Sequence, residues 1–293
     1  MILDLQDLSP IDKQYYLQHV VAPRPICFAS TVDKEGNANL SPFSFFNLFS
    51  TVPPIVVFSP ARRVRNNTTK HTLENVLEVP EVVINIVTYD MVQQTSLASC
   101  EYGKGVDEFV KAGFTKEAAT LVTPPMVKES MAKLECRVIE VKSLGEHGGA
   151  GQLVICEVLR LHLDDSLLTP EKKFIQQNLK LVARLGGDWY CRVDESNLFT
   201  VPKPNVQLGI GMDALPEGVR NSRILTGNQL GMLANVHELP VVQPSYDDSH
   251  LKNIIQYYSL HPQEFEAELH RYAARLLDEN KVDAAWQVLL TQG

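Results

Sequence analysis

From Arg24 to Thr72 an apolar strand, an acidic glycine turn, a Ser/Pro/Phe segment and an acid-free basic loop follow one another, and this order constrains the fold more than any other part of the chain. Arg24-Pro25-Ile26-Cys27-Phe28-Ala29-Ser30-Thr31-Val32 reads as a strand, and Asp33-Lys34-Glu35-Gly36-Asn37 as a turn. A second strand is expected from Ala38 to Phe46, carrying most of Ser41-Pro42-Phe43-Ser44-Phe45-Phe46-Asn47, and a third over Pro54-Ile55-Val56-Val57-Phe58-Ser59. In the loop from Pro60 to Thr72, Arg62, Arg63, Arg65 and Lys70 meet no carboxylate, and Asn66, Asn67, Thr68 and Thr69 lie among them. In a chain of formal net charge -8 such a cluster of donors suits a phosphate group. Taken alone, the loop also reads as a solvated connection.

The remaining pattern is strand-rich with short helices between. Helices are expected near Pro10 to His19, from Thr72 or Leu73 with Thr72 as cap, and from about Asp90 to Ala98. Val82-Val83-Ile84-Asn85-Ile86-Val87 reads as a buried strand, and strands at about 132 to 143 and 152 to 163 flank a hairpin connection from Gly145 to Gly151. The expected class is α+β, mainly β, and barrel-like. Pro202-Lys203-Pro204 marks a boundary, with domains expected over 1–204 and 205–293. Beyond it Leu251, Ile254, Ile255 and Tyr258 repeat at helical spacing, as do Phe265, Leu269, Tyr272, Leu276 and then Val282, Ala285, Trp286, Leu289. This segment holds eleven acidic and six basic side chains, so it supplies -5 of the net charge. Its stripes need an apolar surface to cover, which is expected to be the barrel.

The acidic balance argues against nucleic acid and membrane surfaces as partners. No apolar run reaches transmembrane length and Met1-Ile2-Leu3-Asp4 lacks a basic leader, so a cytoplasmic protein is expected. The five cysteines are widely spaced and never paired as Cys-x-x-Cys, which reads as reduced thiols, with Cys27, Cys136 and Cys156 in strand-like runs as small apolar groups. The eight histidines show no ligand spacing, and no metal site is expected. Gly209-Ile210-Gly211 and His147-Gly148-Gly149 mimic a dinucleotide fingerprint and an oxyanion loop, yet both lack the required context and read as turns.

Residues 1 to about 204 resemble the flavin reductase-like, FMN-binding split-barrel proteins. The resemblance is carried, in order, by Arg24-Pro25, Gly36-Asn37, Ser41-Pro42-Phe43-Ser44-Phe45-Phe46, Pro53-Pro54-Ile55-Val56-Val57-Phe58-Ser59, Lys70-His71-Thr72 with Asn75, Gly105-Val106-Asp107-Glu108-Phe109 with Ala112-Gly113, His162, and Arg184-Leu185-Gly186-Gly187 with Tyr190. It implies a six-stranded FMN-binding split β-barrel, here with a C-terminal helical extension, that forms a homodimer with FMN near the subunit interface. It further implies that Ser41, Pro42, Phe43, Ser44 and Asn47 pass beside the flavin ring, and that Ser59, Arg62 or Arg63, Lys70 and Thr72 surround the phosphate. Arg184 and Tyr190 are implied near the ring or its nicotinamide-facing pocket, and His162 as a catalytic residue there. Read without the resemblance, His162 is a hydrogen-bonded core histidine and the phenylalanines are core. The implied activity is NAD(P)H:flavin reduction, with NADH or NADPH as donor and flavin, oxygen or a redox protein as acceptor. The alternative is a flavoredoxin-like electron carrier with little NAD(P)H turnover.

Overall fold

The computed structural model describes residues 1–203, 207–258 and 260–291. The chain divides into two compact units, Met1–Phe199 and Thr200–Gly293. The boundary expected at 204/205 falls on residues outside the described ones.

In the first unit a helix α1 (Pro10–Val20) precedes a short strand β1 (Arg24–Pro25) and then β2 (Cys27–Val32), β3 (Ala38–Phe43), β4 (Phe46–Thr51) and β5 (Pro54–Phe58). Next come α2 (His71–Glu78), β6 (Glu81–Ile86), α3 (Val92–Ala98), α4 (Glu108–Ala112), β7 (Lys116–Glu117) and β8 (Met126–Val127). The long hairpin β9 (Ala132–Ser143) and β10 (Gln152–Leu163) is followed by β11 (Val182–Arg184) and β12 (Tyr190–Arg192). The strand expected from Ala38 to Phe46 breaks at Ser44 and Phe45, so it becomes two strands.

That break closes the barrel. Seven strands are ordered β3-β2-β6-β9-β10-β5-β4, so β3 and β4 are the two edges, although only two residues join them. The edges of a flat seven-stranded sheet would lie about 29 Å apart at ~4.8 Å per gap. The link from Phe43 to Phe46 reaches about 11 Å at most. The sheet must therefore curl until its edges meet, which gives a barrel with a slit between β3 and β4. Alternation along β2 fills both sides of the wall. Cys27 and Ala29 join Phe43, Val56, Phe58, Ile84, Cys136 and Cys156 in one core, while Ile26 and Phe28 face Met91, Phe109 and Phe114 in another. Burial pushes the thiols of Cys27 and Cys156 well above their ordinary range and that of Cys136 up to about 12, so these cysteines are neutral packing groups.

The second unit is helical: α5 (Glu217–Arg220), α6 (Gly227–Ala234), α7 (Ser249–Tyr258), α8 (Pro262–Asp278) and α9 (Val282–Leu289). Its apolar stripes find their surface in one another. Leu233, Leu251, Ile254, Phe265, Leu269, Ala273, Leu277 and the fully buried Trp286 form a core drawn from this unit alone. Thr226 and Gln229 make a reciprocal cap on α6, and the Gln229 amide reaches Asp278 and the Ala274 carbonyl of α8. A fragment of residues 200–293 should therefore be helical and melt cooperatively by itself; circular dichroism of the isolated fragment checks this, and a non-cooperative melt would contradict it. Among the described residues, no helix is long and apolar enough to cross a membrane.

Candidate functional site

The basic loop is held from behind by the β9–β10 turn. The Arg62 amide donates to the Ala150 carbonyl, the Gly149 amide to the Arg62 carbonyl, and the Asn67 side chain to the Glu146 carbonyl. A Cβ at Gly148 would lie 2.9 Å from the Val64 backbone and Gly149 has φ +92°, so the glycines of this turn permit the approach. The string His147-Gly148-Gly149 is indeed a turn, and its function is to support this loop.

The four cations are not equivalent. Arg62 donates through Nε and Nη2 to the side chain and carbonyl of Asn67 and so ties the loop to itself. Arg63 donates to Thr68 and to the Thr69 carbonyl and lies 3.5 Å from Glu101, which also pairs with Arg65 at 2.7 Å. The expectation that no carboxylate meets these cations is thus corrected: Glu101 arrives from a segment 36 residues downstream of Arg65. The Lys70 ammonium, by contrast, has neither ion pair nor hydrogen bond among the described residues. It is half-buried, 5.4 Å from the centre of the Phe43 ring. Burial and then the Arg63 guanidinium hold its pKa below the ordinary lysine value, against the pull of Glu101.

Helix α2 begins at His71 with Lys70 at its N-cap and no side-chain cap. Thr72, expected as the cap, is instead fully buried and accepts from Asn39 Nδ2 at 3.0 Å, because β3 lies against this helix. The amides of His71 and Thr72 consequently find no acceptor among the described residues. Two cations, two free amides and the positive end of the helix meet at one place.

Ser41 and Pro42 lie half-buried on β3 opposite Ala29 and Phe28, and Phe43 packs at 5.2 Å on Phe58. The edge they form is held by Glu108, a buried carboxylate that accepts from the Leu40 amide at 3.0 Å. Where the chain leaves β3, a cavity of about 580 Å³ is bordered by Ser44, Phe45, Asn47, Ser59, Leu153 and Arg24. Arg24 is buried and its terminal nitrogens donate to the carbonyls of Gln18, Val21 and Leu185. Ser44 and Asn47, implied beside the ring, and Ser59, implied at the phosphate, thus border one cavity. Arg184 and Tyr190 are not in this cavity. They line a second one of about 420 Å³ beside α3.

His162 stands apart from both. Ser59 Oγ accepts from the Gln152 amide at the start of β10, whereas His162 lies ten residues further along that strand, roughly 30 Å away at about 3.3 Å per residue. His162 Nε2 donates to Glu135 Oε1 at 2.6 Å, and the fully buried Glu135 also receives the amides of Thr120, Leu121 and Val122 and the Thr120 hydroxyl. Burial alone would raise the Glu135 pKa, but the bonds from Thr120, His162 and Leu121 overturn that and hold it at about 2. The sequence signals neither Glu135 nor Glu101, since each is an ordinary acidic residue until the fold supplies its partners.

Residues 20–179 match the flavin reductase like domain. An uncharacterised protein of Aquifex aeolicus is 32% identical over 173 residues, 59% of this chain and 86% of the relative. One of Halalkalibacterium halodurans is 31% identical over 208 residues, 70% of this chain and 98% of the relative. Among solved structures, nitrilotriacetate monooxygenase component B from Bacillus cereus superposes with a TM-score of 0.64 at 27% identity, covering 69% of this chain and 98% of that one.

Proposed function

The chain belongs to the flavin reductase-like family, a flavin-related oxidoreductase kind, and on that premise we propose that it binds FMN and uses it to pass electrons from NADH or NADPH to a further acceptor. The observation that carries the FMN reading is the Lys70 ammonium, unpaired and half-buried beside Arg63 at the uncapped start of α2. A phosphate dianion there would relieve the repulsion between the two cations and accept from the amides of His71 and Thr72. When bound, FMN supplies the two-electron redox chemistry; the protein binds and orients it. The cavity bordered by Ser44, Asn47, Ser59 and Phe45 lies where the chain leaves the β3 edge, and the side chains of Ser44 and Asn47 would face the ring while Phe45 covers it. His162 has no step in this scheme within one subunit, where its imidazole serves Glu135.

The homodimer belongs to the same proposal. No residue of α1 is buried, and Ile11, Tyr15, Val20 and Val21 are exposed together with Phe45, Leu48 and Phe49 beside or on the β4 edge. Apolar surface of that extent fits a second copy of the chain. The solved relative named as a monooxygenase component supports a reading in which reduced flavin is handed on.

A flavin titration followed by anaerobic NADH and NADPH tests the scheme. One FMN should bind per subunit, riboflavin at least about tenfold more weakly for want of the phosphate contacts, and the bound flavin should bleach on adding one of the two donors. Equal affinity for riboflavin would overturn the phosphate assignment. FMN that binds but is not bleached would favour the electron-carrier alternative.

A further inference from the structure

The short sheet β1-β11-β12 presents one face rich in arginine and tyrosine. Arg184 is in register with Arg24 on one side and Tyr190 on the other, and Val182 with Arg192. Cross-strand partners and alternate residues share a face, so Arg24, Val182, Arg184, Tyr190 and Arg192 lie on one side of this sheet, Arg24 and Val182 buried and the other three lining the cavity with Val182 at its floor. The opposite wall of the 420 Å³ cavity there is Tyr89, Val92, Gln93 and Ser96, from α3 and the turn before it. The Arg184 guanidinium lies 4.5 Å from the Tyr190 ring centre and that of Arg192 4.3 Å from Tyr89, so each cation is held within cation–π distance of a ring that lines the cavity.

The polar contacts of these groups leave donors in hand. Arg184 Nη2 donates to the Gly187 carbonyl and lies 3.7 Å from the fully exposed Asp188, and Arg192 Nε lies 2.8 Å from Asp194 at the rim. Among the described residues, no hydrogen bond engages Nη1 or Nη2 of Arg192, the Gln93 amide or the Ser96 hydroxyl. Two planar cations, one amide and one hydroxyl over an apolar floor of Val92 and Val182 form the donor set that a purine nucleotide requires. A purine ring could stack there on a guanidinium, with its edge toward the amide and hydroxyl and its phosphates toward the forks.

We propose that this cavity binds the adenosine-phosphate end of the reduced nicotinamide donor. The inference rests on the NAD(P)H reading above and adds where the donor is held. Arg24 borders the cavity beside Ser44 and Ser59, Arg184 borders this one, and the two are direct cross-strand neighbours about 5 Å apart. The ends of one dinucleotide can thus occupy adjoining cavities, neither of which needs to hold all of it.

Calorimetric titration of ADP into the full chain, with Arg192→Ala, Arg192→Lys and the cavity-filling Ser96→Trp, tests the site. Arg192 is part-exposed at a strand end, and a melting curve of each variant is to be recorded to check that it folds. ADP should bind the wild-type protein, and Arg192→Ala should weaken it about tenfold or more. Arg192→Lys, which keeps the charge and loses the planar fork, should not restore it, and Ser96→Trp should exclude it. KM for the reduced donor should rise in parallel while FMN affinity stays unchanged. Reduction of bound flavin by NADH or NADPH with no ADP binding, or with equal binding in all variants, overturns the site. ADP binding that the variants weaken, beside bound flavin inert to both donors, supports the nucleotide site and overturns the donor reading instead.

Discussion

Glu135→Ala should destabilise the barrel unit by about 3 kcal/mol or more, because five donors converge on a carboxylate that has no exposed surface. Truncation leaves the amides of Thr120, Leu121 and Val122, the Thr120 hydroxyl and the His162 ring without their shared acceptor, at about 1 to 3 kcal/mol for each donor that water cannot reach, foremost the amide of the buried Val122. In a unit of this size the melting temperature should fall by roughly 6 to 12 °C. His162→Ala removes one donor of the five and should cost less. Thermal melts of the three proteins check the order; a Glu135→Ala protein as stable as wild type would show that the loop around Thr120 is not anchored in this way.

The same carboxylate sets a pH dependence whose sign follows from its depressed pKa. Folded, Glu135 titrates at about 2, against an ordinary value of 4.5. Its contribution is complete above about pH 4.5 and is lost as the pH falls from there toward 2, because protonation is then easier in the unfolded chain. Melts at successive pH values should show wild type losing more stability across that window than Glu135→Gln, which has no proton to gain. Parallel pH profiles would contradict the assignment.

Arg63→Ala and Lys70→Ala should each weaken FMN by roughly 1.5 to 3 kcal/mol, about a ten- to hundredfold rise in Kd. Riboflavin should bind all three proteins alike, since it has no phosphate to lose. Lys70→Ala removes, besides the anion contact, only the cation–π contact of the ammonium with Phe43, whereas Arg63→Ala also frees Glu101 and disconnects Thr68 and Thr69. Arg62→Ala should act less, through loosening of the loop that Arg62 ties to Asn67. Flavin fluorescence titrations separate these cases. FMN affinity unchanged in both Arg63→Ala and Lys70→Ala would return the loop to a solvated connection.

Much of this was legible in order and period. The strands around Cys27, Val56, Ile84, Cys136 and Cys156 announce themselves by alternation and by apolar runs, and the helices around Phe265 and Trp286 by spacing of three and four. The group formed by Arg63 and Lys70 was legible as a cluster of donors. What failed were the partners. Thr72 has the chemistry of a helix cap, yet Asn39 claims its hydroxyl. Arg184 and Tyr190, implied near the ring or its nicotinamide-facing pocket, line a cavity beside the one bordered by Ser44, since β11 pairs with β1 in a separate small sheet.

The sequence by itself determined the class of each segment and the places where charge accumulates, because both are properties of neighbouring residues. Only the tertiary structure decided that a two-residue link would draw β3 and β4 into a slit barrel, that Glu101 would reach the basic loop, and that His162 would be committed to Glu135. Those outcomes depend on contacts between residues 27 to 38 positions apart or on the closure of an entire sheet. A local pattern can offer such donors and acceptors, but which of them meet is settled when the sheet curls and the interior excludes water.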